Sequence, residues 1–259
     1  MSDELRVERR GRVLVVTINR PERMNSMSQQ IYDDLLDTWT SLKTDGTIRA
    51  IVVTGAGERA FCTGMDLQAV KERGGLRPVK ANVHEEMRVT PLNCDVWLPT
   101  IVAVNGVCTG SGLHFIADAD VVVASNTATF LDAHVSAGQV TALEPITLLP
   151  RIGLGNALRL AVLGRHGRIS AEEARRIFLV DEVVEPERLL DRAVELGELA
   201  ATGSPAAIES SKRAIRASLE RPMSEAMERG WELLLAHRQH PDAMEGPLAF
   251  SEKRAPEWQ

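Results

Sequence analysis

Residues Thr100–Asp120 read TIVAVNGVCTGSGLHFIADAD, and this stretch decides the fold. It opens with a β-branched apolar run, passes through a turn containing Gly106, Gly110 and Gly112, and continues as an apolar segment of helical character. A strand that turns into the start of a helix points free backbone N–H groups, and the positive end of the helix dipole, at one place. The stretch therefore predicts a binding site for an anion or a polarised carbonyl group.

Strand and helix patterns alternate on both sides of this stretch. Apolar positions at helical spacing predict a helix over residues 28–43, with Ser28 as its N-cap. This helix lies between two strand-like runs, which predicts a βαβ unit with parallel pairing. The remaining predicted elements are strands at Val13–Ile18, Ala50–Thr54, Val121–Ala124 and Val180–Val184, and helices at Ala157–Leu163, Ala171–Phe178, Leu189–Leu199, Pro205–Leu219 and Ser224–His237. The chain ends in a polar segment, GPLAFSEKRAPEWQ.

Composition and charge argue against several classes of protein. The net charge is −6 and no run is dense in Lys or Arg, so we expect no nucleic-acid partner. The charged N-terminus has no apolar signal region, and no stretch reaches the roughly eighteen apolar residues of a membrane span, so we expect a cytoplasmic protein. Cys62, Cys94 and Cys108 lack metal-type spacing and are interpreted as reduced core residues.

Two further segments are candidates for the walls of a ligand site. GAGERAFCTGMDL follows the Ala50–Thr54 strand, and α/β proteins usually bind their ligands in loops at strand ends. Residues 68–93 are charged and only weakly periodic, so we expect a variable segment there that could act as a lid.

Five segments, in order, resemble the enoyl-CoA hydratase/isomerase (crotonase) superfamily over nearly the whole chain. They are NRPERMNSMS (19–28), RAIVVTGAGERAFCTGMDL (49–67), PTIVAVNGVCTGSGL (99–113), AEEARRIFLVDEVVEPERLLDRA (171–193) and SPAAIESSKRAI (204–215). The resemblance implies an α/β crotonase (ClpP-like) fold, a spiral of ββα units with a C-terminal helical trimerisation region. We accordingly expect a core with an acyl-CoA site in residues 1–195, an oligomerisation region in residues 196–259, and a homotrimer or dimer of trimers.

The resemblance also implies an oxyanion hole for a thioester enolate. Its two backbone N–H donors would be those of Met65 and Ser111, the latter standing where the family usually has glycine. A backbone donor tolerates serine if its Cβ clears the ligand. The family's coenzyme A contacts correspond to Arg23, Met24, Lys253 and Arg254. Coenzyme A enters as part of the substrate, and no other cofactor is expected.

The catalytic positions depart from the family pattern. Hydratases of this family carry two glutamates, whose positions here are occupied by His114 and His134. Histidine titrates near neutral pH, so either residue could exchange a proton with water or a carbon acid. Glu144 is a third acid/base candidate, equally interpretable as a partner of the helix dipole, and Asp132 is a weaker one. Nothing in the spacing of these residues requires a metal.

Several reactions are compatible with these residues. An enoyl-CoA hydratase-type lyase is the first hypothesis. Isomerisation of a double bond, thioester hydrolysis and C–C cleavage are alternatives, since each needs an oxyanion hole and a proton shuttle. An acyl-CoA-binding protein without catalytic activity is the alternative from another class. The sequence does not identify the acyl group.

Overall fold

The computed structural model describes residues 2–75 and 80–259. Its strands in these ranges are β1 (Leu5–Arg10), β2 (Val13–Ile18), β3 (Ala50–Gly55), β4 (Ala60–Cys62), β5 (Thr100–Val104), β6 (Val107–Cys108), β7 (Val121–Ser125), β8 (Thr129–Phe130), β9 (Ile169–Ser170) and β10 (Glu182–Val184). Its α-helices are α1 (Gln29–Leu42), α2 (Leu67–Arg73), α3 (Val83–Glu86), α4 (Ser111–Asp118), α5 (Leu143–Leu163), α6 (Ala171–Arg176), α7 (Leu189–Ala200), α8 (Pro205–Ala217), α9 (Met223–His237) and α10 (Asp242–Glu252).

The strands form two sheets. A six-stranded sheet has the order β1-β2-β3-β5-β7-β10, and a four-stranded sheet has the order β4-β6-β8-β9. Three consecutive units, β3-β4-α2, β5-β6-α4 and β7-β8-α5, each place one strand in each sheet and then form a helix. This repetition confirms the predicted crotonase fold of ββα units.

The apolar runs form strands because both faces of the larger sheet are covered. All six residues of β3 are buried, and β3 pairs in parallel with β2 and β5. Continuous apolar strands of this kind are typical of parallel sheets with both faces packed. One face carries the main core, which includes Trp39 of α1, and α7 packs Leu189 and Ala193 on the other face.

Most predicted elements have matching elements in the structure. The βαβ unit is confirmed by the parallel pairing of β2 with β3, and Ser28 caps α1 by accepting the N–H of Ile31. The three cysteines are free and buried, as predicted. The boundary predicted between residues 195 and 196 falls inside α7, and the division into two domains stays a prediction.

Some sequence predictions were wrong or incomplete. The polar segment at the end of the chain begins within the helix α10, which includes Pro247, and continues beyond it without regular structure. β1 was not predicted, because charged residues interrupt its apolar pattern at the edge of the sheet. The lid segment contains α2 and α3, while its residues 76–79 lie outside the described residues.

One helical stretch contradicts the expectation that no segment is long and apolar enough to cross a membrane. Leu143–His166 meets that criterion by length and composition, with 24 residues and a mean hydropathy of 1.3. Gly153 has φ 69° and ψ 167°, so the stretch consists of two shorter helices joined at a kink. Neither part reaches the roughly twenty continuous helical residues that a membrane span requires.

Candidate active site

Two loops that follow neighbouring strands of the smaller sheet meet at the candidate oxyanion hole. Cys62 of β4 pairs with Cys108 of β6, and the two predicted donors, Met65 and Ser111, each follow these cysteines by three residues. A Cβ atom on Gly64 would lie only 3.3 Å from the Ser111 nitrogen. The two loops are therefore in close contact, as a shared binding site requires.

The backbone leaves both predicted donors available. In the described ranges, the hydrogen bonds include none from the N–H groups of Met65 or Ser111. The neighbouring groups are paired, because Gly64 accepts the N–H of Met27 at 2.7 Å and Asp66 donates its N–H to Met27 at 3.3 Å. Ser111 is the first residue of α4, where an N–H has no acceptor within its own helix. Two free amides on fixed loops can bind a carbonyl oxygen.

The three predicted acid/base residues lie side by side. His114 is one turn along α4 from Ser111, and Glu144 is in the first turn of α5. The Glu144 Oε1 atom lies 3.3 Å from His114 Nε2 and 3.7 Å from His134 Nε2. His114 and Glu144 are buried, whereas the side chain of His134 is 33% exposed. His134 is thus the member of the group most accessible to a ligand.

Asp132 joins this group through His134. Its Oδ1 atom lies 2.7 Å from His134 Nδ1, and the Thr141 hydroxyl donates to its other oxygen. Asp132 is completely buried. An Nδ1–H···O bond of this kind leaves Nε2 as the nitrogen that can accept a proton.

The electrostatics of the group keep its carboxylates ionised. Burial raises the pKa of Glu144, but the hydrogen bond from His114 and the charges of both histidines outweigh burial, so the net pKa lies below the ordinary value. Burial likewise raises the pKa of Asp132, but the hydrogen bonds from His134 and Thr141 have the larger effect. The net pKa of Asp132 therefore also lies below its ordinary value. The hydrogen bond to Asp132 raises the pKa of His134, with burial acting in the opposite direction.

The two ring nitrogens of His114 lie in different surroundings. Its Nδ1 atom is buried and has no hydrogen-bond partner in the described part of the chain. A neutral imidazole with its proton on Nε2 leaves Nδ1 as a bare acceptor, whereas a charged imidazole would bury an unpaired N–H. Burying an unpaired donor on a charged ring is the costlier arrangement. His114 thus places Nε2 at 3.3 Å from Glu144 Oε1 and keeps Nδ1 buried without a partner among the described residues.

The same residues offer a set of atoms for a cation. One ligand atom from each of Asp132, His134 and Glu144 lies within 4.8 Å of the others. Both oxygens of Asp132 also accept hydrogen bonds, one from His134 and the other from Thr141.

The predicted coenzyme A contacts are separated along the chain. Arg23 donates to Gln68 of α2, close to the Met65 loop, and Met24 follows it in a left-handed conformation. Lys253 and Arg254 directly follow α10, and Arg254 binds Glu245 with distances of 2.5 and 2.9 Å. Contact of these four residues with coenzyme A stays a prediction.

Sequence reasoning missed one residue of the site. The hydroxyl of Tyr32, on α1, lies 2.9 Å from the Ser111 hydroxyl. Its helical spacing predicts only that Tyr32 lies on a helix, and a sequence separation of 79 residues leaves no local signal of the contact.

A sequence profile described as Enoyl-CoA hydratase/isomerase matches residues 8–259. The chain belongs to the enoyl-CoA hydratase/isomerase family. It is therefore an enzyme of a family that acts on acyl-CoA substrates.

Individual members of the family match over almost their full length. The (E)-benzylidenesuccinyl-CoA hydratase of Thauera aromatica is 34% identical over 244 residues, which cover 94% of each protein. The carnitinyl-CoA dehydratase of Proteus mirabilis is 32% identical, with 100% of this chain and 99% of that protein covered. A crystal structure of an enoyl-CoA hydratase/isomerase from Mycobacterium paratuberculosis superposes with a TM-score of 0.90 at 35% identity, covering 99% of this chain and 98% of that one.

Proposed function

We propose that the protein is a hydratase-type lyase that adds water to the double bond of a 2-enoyl-CoA, or removes it in the reverse direction. The observation that carries this proposal is the position of His134 Nε2, 3.7 Å from Glu144 Oε1 and on the accessible side of the group. Both atoms can reach one water molecule at ordinary hydrogen-bond distances. The hydratase and dehydratase relatives support the same class of reaction.

The proposed reaction uses the site as follows. The N–H groups of Met65 and Ser111 bind the thioester oxygen, while Glu144 and His134 hold the water. As the water oxygen bonds to Cβ, His134 takes one of its protons and the electron pair of the double bond moves into the thioester to form an enolate. The imidazolium then returns a proton to Cα, so that one water molecule is added overall. The donors stabilise the charge that develops on the enolate oxygen.

The acyl-CoA substrate can be tested with a defined panel. Purified protein is incubated with saturated, 2-enoyl, 3-enoyl, β-keto and ring-bearing acyl-CoAs, and the products are analysed by mass spectrometry. We expect a 2-enoyl-CoA to gain one water, and Glu144→Gln to slow this reaction by about 100-fold or more. An isomer, free CoA or a shortened acyl chain, with no hydrated product, would instead indicate isomerisation, hydrolysis or C–C cleavage. Binding without turnover of any compound would contradict the proposal altogether.

We further propose a homotrimer or a dimer of trimers. Apolar side chains are exposed along α8 and α9, among them Ile215, Met223, Met227 and Trp231. Exposed apolar surfaces of this kind typically mark contacts with another protein surface. Analytical ultracentrifugation distinguishes three subunits from six, and a monomeric species at micromolar concentration would contradict the proposal.

A further inference from the structure

The side chain of Ser111 extends from the oxyanion hole toward a different element of the fold. Its Oγ atom lies 2.9 Å from the Tyr32 hydroxyl of α1, and both residues are half-buried. The backbone N–H of the same serine is one of the two proposed oxyanion donors. A serine hydroxyl and its own N–H are close enough to donate to a single acceptor. The Ser111 hydroxyl therefore lies next to the proposed oxyanion donor of the same residue.

The chemistry of the two hydroxyls favours one direction for the hydrogen bond between them. A phenol, with a pKa of about 10, is a stronger donor than an aliphatic alcohol. We therefore take Tyr32 as the donor and Ser111 Oγ as the acceptor. The Ser111 proton then remains available to a second acceptor, and accepting one hydrogen bond strengthens its donation of another.

Tyr32 also determines where the Ser111 hydroxyl points. Serine side chains near helix termini commonly turn back to bind backbone groups of their own segment. The described hydrogen bonds of the Ser111 side chain include the one with Tyr32 and none to the backbone of α4. The contact with Tyr32 thus holds the hydroxyl beside the hole.

We propose that the Ser111 hydroxyl is a third hydrogen-bond donor to the thioester oxygen, and that Tyr32 is the positioning residue that orients it. This inference rests on the proposed function only in requiring a bound acyl-CoA thioester. A donor aimed at the thioester oxygen binds the enolate more strongly than the neutral carbonyl, because the negative charge develops during the reaction. Loss of the hydroxyl is therefore expected to lower kcat while leaving KM nearly unchanged.

The test measures polarisation of the thioester directly. The carbonyl stretching band of a bound saturated acyl-CoA, which has no double bond to hydrate, is recorded by difference infrared spectroscopy with carbonyl-labelled ligand. We expect the band of the wild-type complex to lie at lower wavenumber than that of Ser111→Ala, with Tyr32→Phe between the two. Ser218→Ala, which removes an exposed hydroxyl bound to Ile215, is the matched control and should leave the band unchanged.

Kinetics with the substrate found for the wild type complete the test. Ser111→Ala should lower kcat by about tenfold, the equivalent of one neutral hydrogen bond. Tyr32→Phe should lower kcat less, and its effect should be much smaller in the Ser111→Ala background, because the residue acts on the thioester oxygen through Ser111. An effect of Tyr32→Phe that is undiminished in that background would overturn its positioning role.

The two proposals fail in different ways. An identical carbonyl band in wild type and Ser111→Ala would overturn the third donor, even in a protein that hydrates enoyl-CoA. A shifted band in a protein that hydrates no compound of the panel would support the third donor and reject the proposed function.

Discussion

His134 Nδ1 lies 2.7 Å from Asp132 Oδ1, and this carboxylate has no exposure to solvent. The same oxygen accepts the backbone N–H of His134 at 3.0 Å. These two bonds fix both the orientation of the imidazole ring and the nitrogen that carries its proton. The catalytic step proposed for His134 therefore depends on a residue that need not touch the substrate.

We expect Asp132→Asn to lower kcat by about 100-fold or more, because the asparagine no longer fixes the required tautomer. The pH profile should also change. Asp132 raises the pKa of His134, so activity that requires neutral His134 should increase with pH through a value above the ordinary 6.5. In the Asp132→Asn variant, this rise of activity with pH should occur at lower pH. Profiles of kcat/KM against pH measure both effects. A rise at the same pH in wild type and variant would show that a group other than His134 titrates in this range.

Replacement of His114 distinguishes orientation from proton transfer. His114→Gln can still donate a hydrogen bond to Glu144, whereas His114→Ala cannot, and neither side chain titrates near neutral pH. If His114 mainly holds Glu144, the glutamine variant should retain most of the activity and the alanine variant should lose about 100-fold. Equal losses in both variants, with acyl-CoA binding intact, would instead assign proton transfer to His114. Equilibrium binding of acyl-CoA and steady-state rates provide the comparison.

We expect Gly64→Ala to disrupt the oxyanion hole. The new Cβ would lie 3.3 Å from both Gly110 Cα and the Ser111 nitrogen, and Gly64 has φ +80°. The rate should fall by about 100-fold, similar to removal of one oxyanion donor. Gly74→Ala is the matched control, because Gly74 has φ +73° but no atom within 4 Å of the new Cβ. Both variants should lose stability by about 1–2 kcal/mol in chemical denaturation, while Gly74→Ala keeps its activity.

Phe178 is a position where a substitution should stabilise the protein. It has φ 65° in the left-handed region, and its side chain is largely exposed, so little packing offsets the strain. Phe178→Gly should raise the free energy of unfolding by about 0.5–1 kcal/mol, after the greater freedom of glycine in the unfolded chain is subtracted. Phe178→Ala removes the same ring but keeps a Cβ, and should give no comparable gain. A lower melting temperature for the glycine variant would contradict this account.

The parts of the fold that could be predicted are those encoded locally. The helix over residues 28–43 matches α1 within one residue at each end, because its apolar spacing and its Ser28 cap both lie in the local sequence. The β2, β3 and β5 strands were equally clear from continuous β-branched runs. By contrast, α10 contains Gly246 and Pro247 and has mixed polarity, so its helical state depends on tertiary packing.

The candidate site was only partly predictable for the same reason. His114, His134 and Glu144 could be singled out individually, but their convergence depends on how α4 packs against the start of α5. The contact between Asp132 and His134 was not predicted, since two residues of separation do not reveal a bond to the imidazole. The contact between Tyr32 of α1 and Ser111 of α4 joins two helices that are distant in the sequence, and only the folded chain brings them together.

The ladder between β4 and β6 has a further consequence for the oxyanion hole. Met65 and Ser111 each stand three residues after Cys62 and Cys108, which pair in adjacent strands about 4.8 Å apart, so the two loops leave the sheet side by side. Because each donor is a backbone N–H, a change of the Met65 side chain would leave its donor in place. Insertion or deletion of a single residue between a paired cysteine and its donor would, however, shift one amide relative to the other. The number of residues between each cysteine and its donor therefore matters to this site as much as the glycines that the two loops contain.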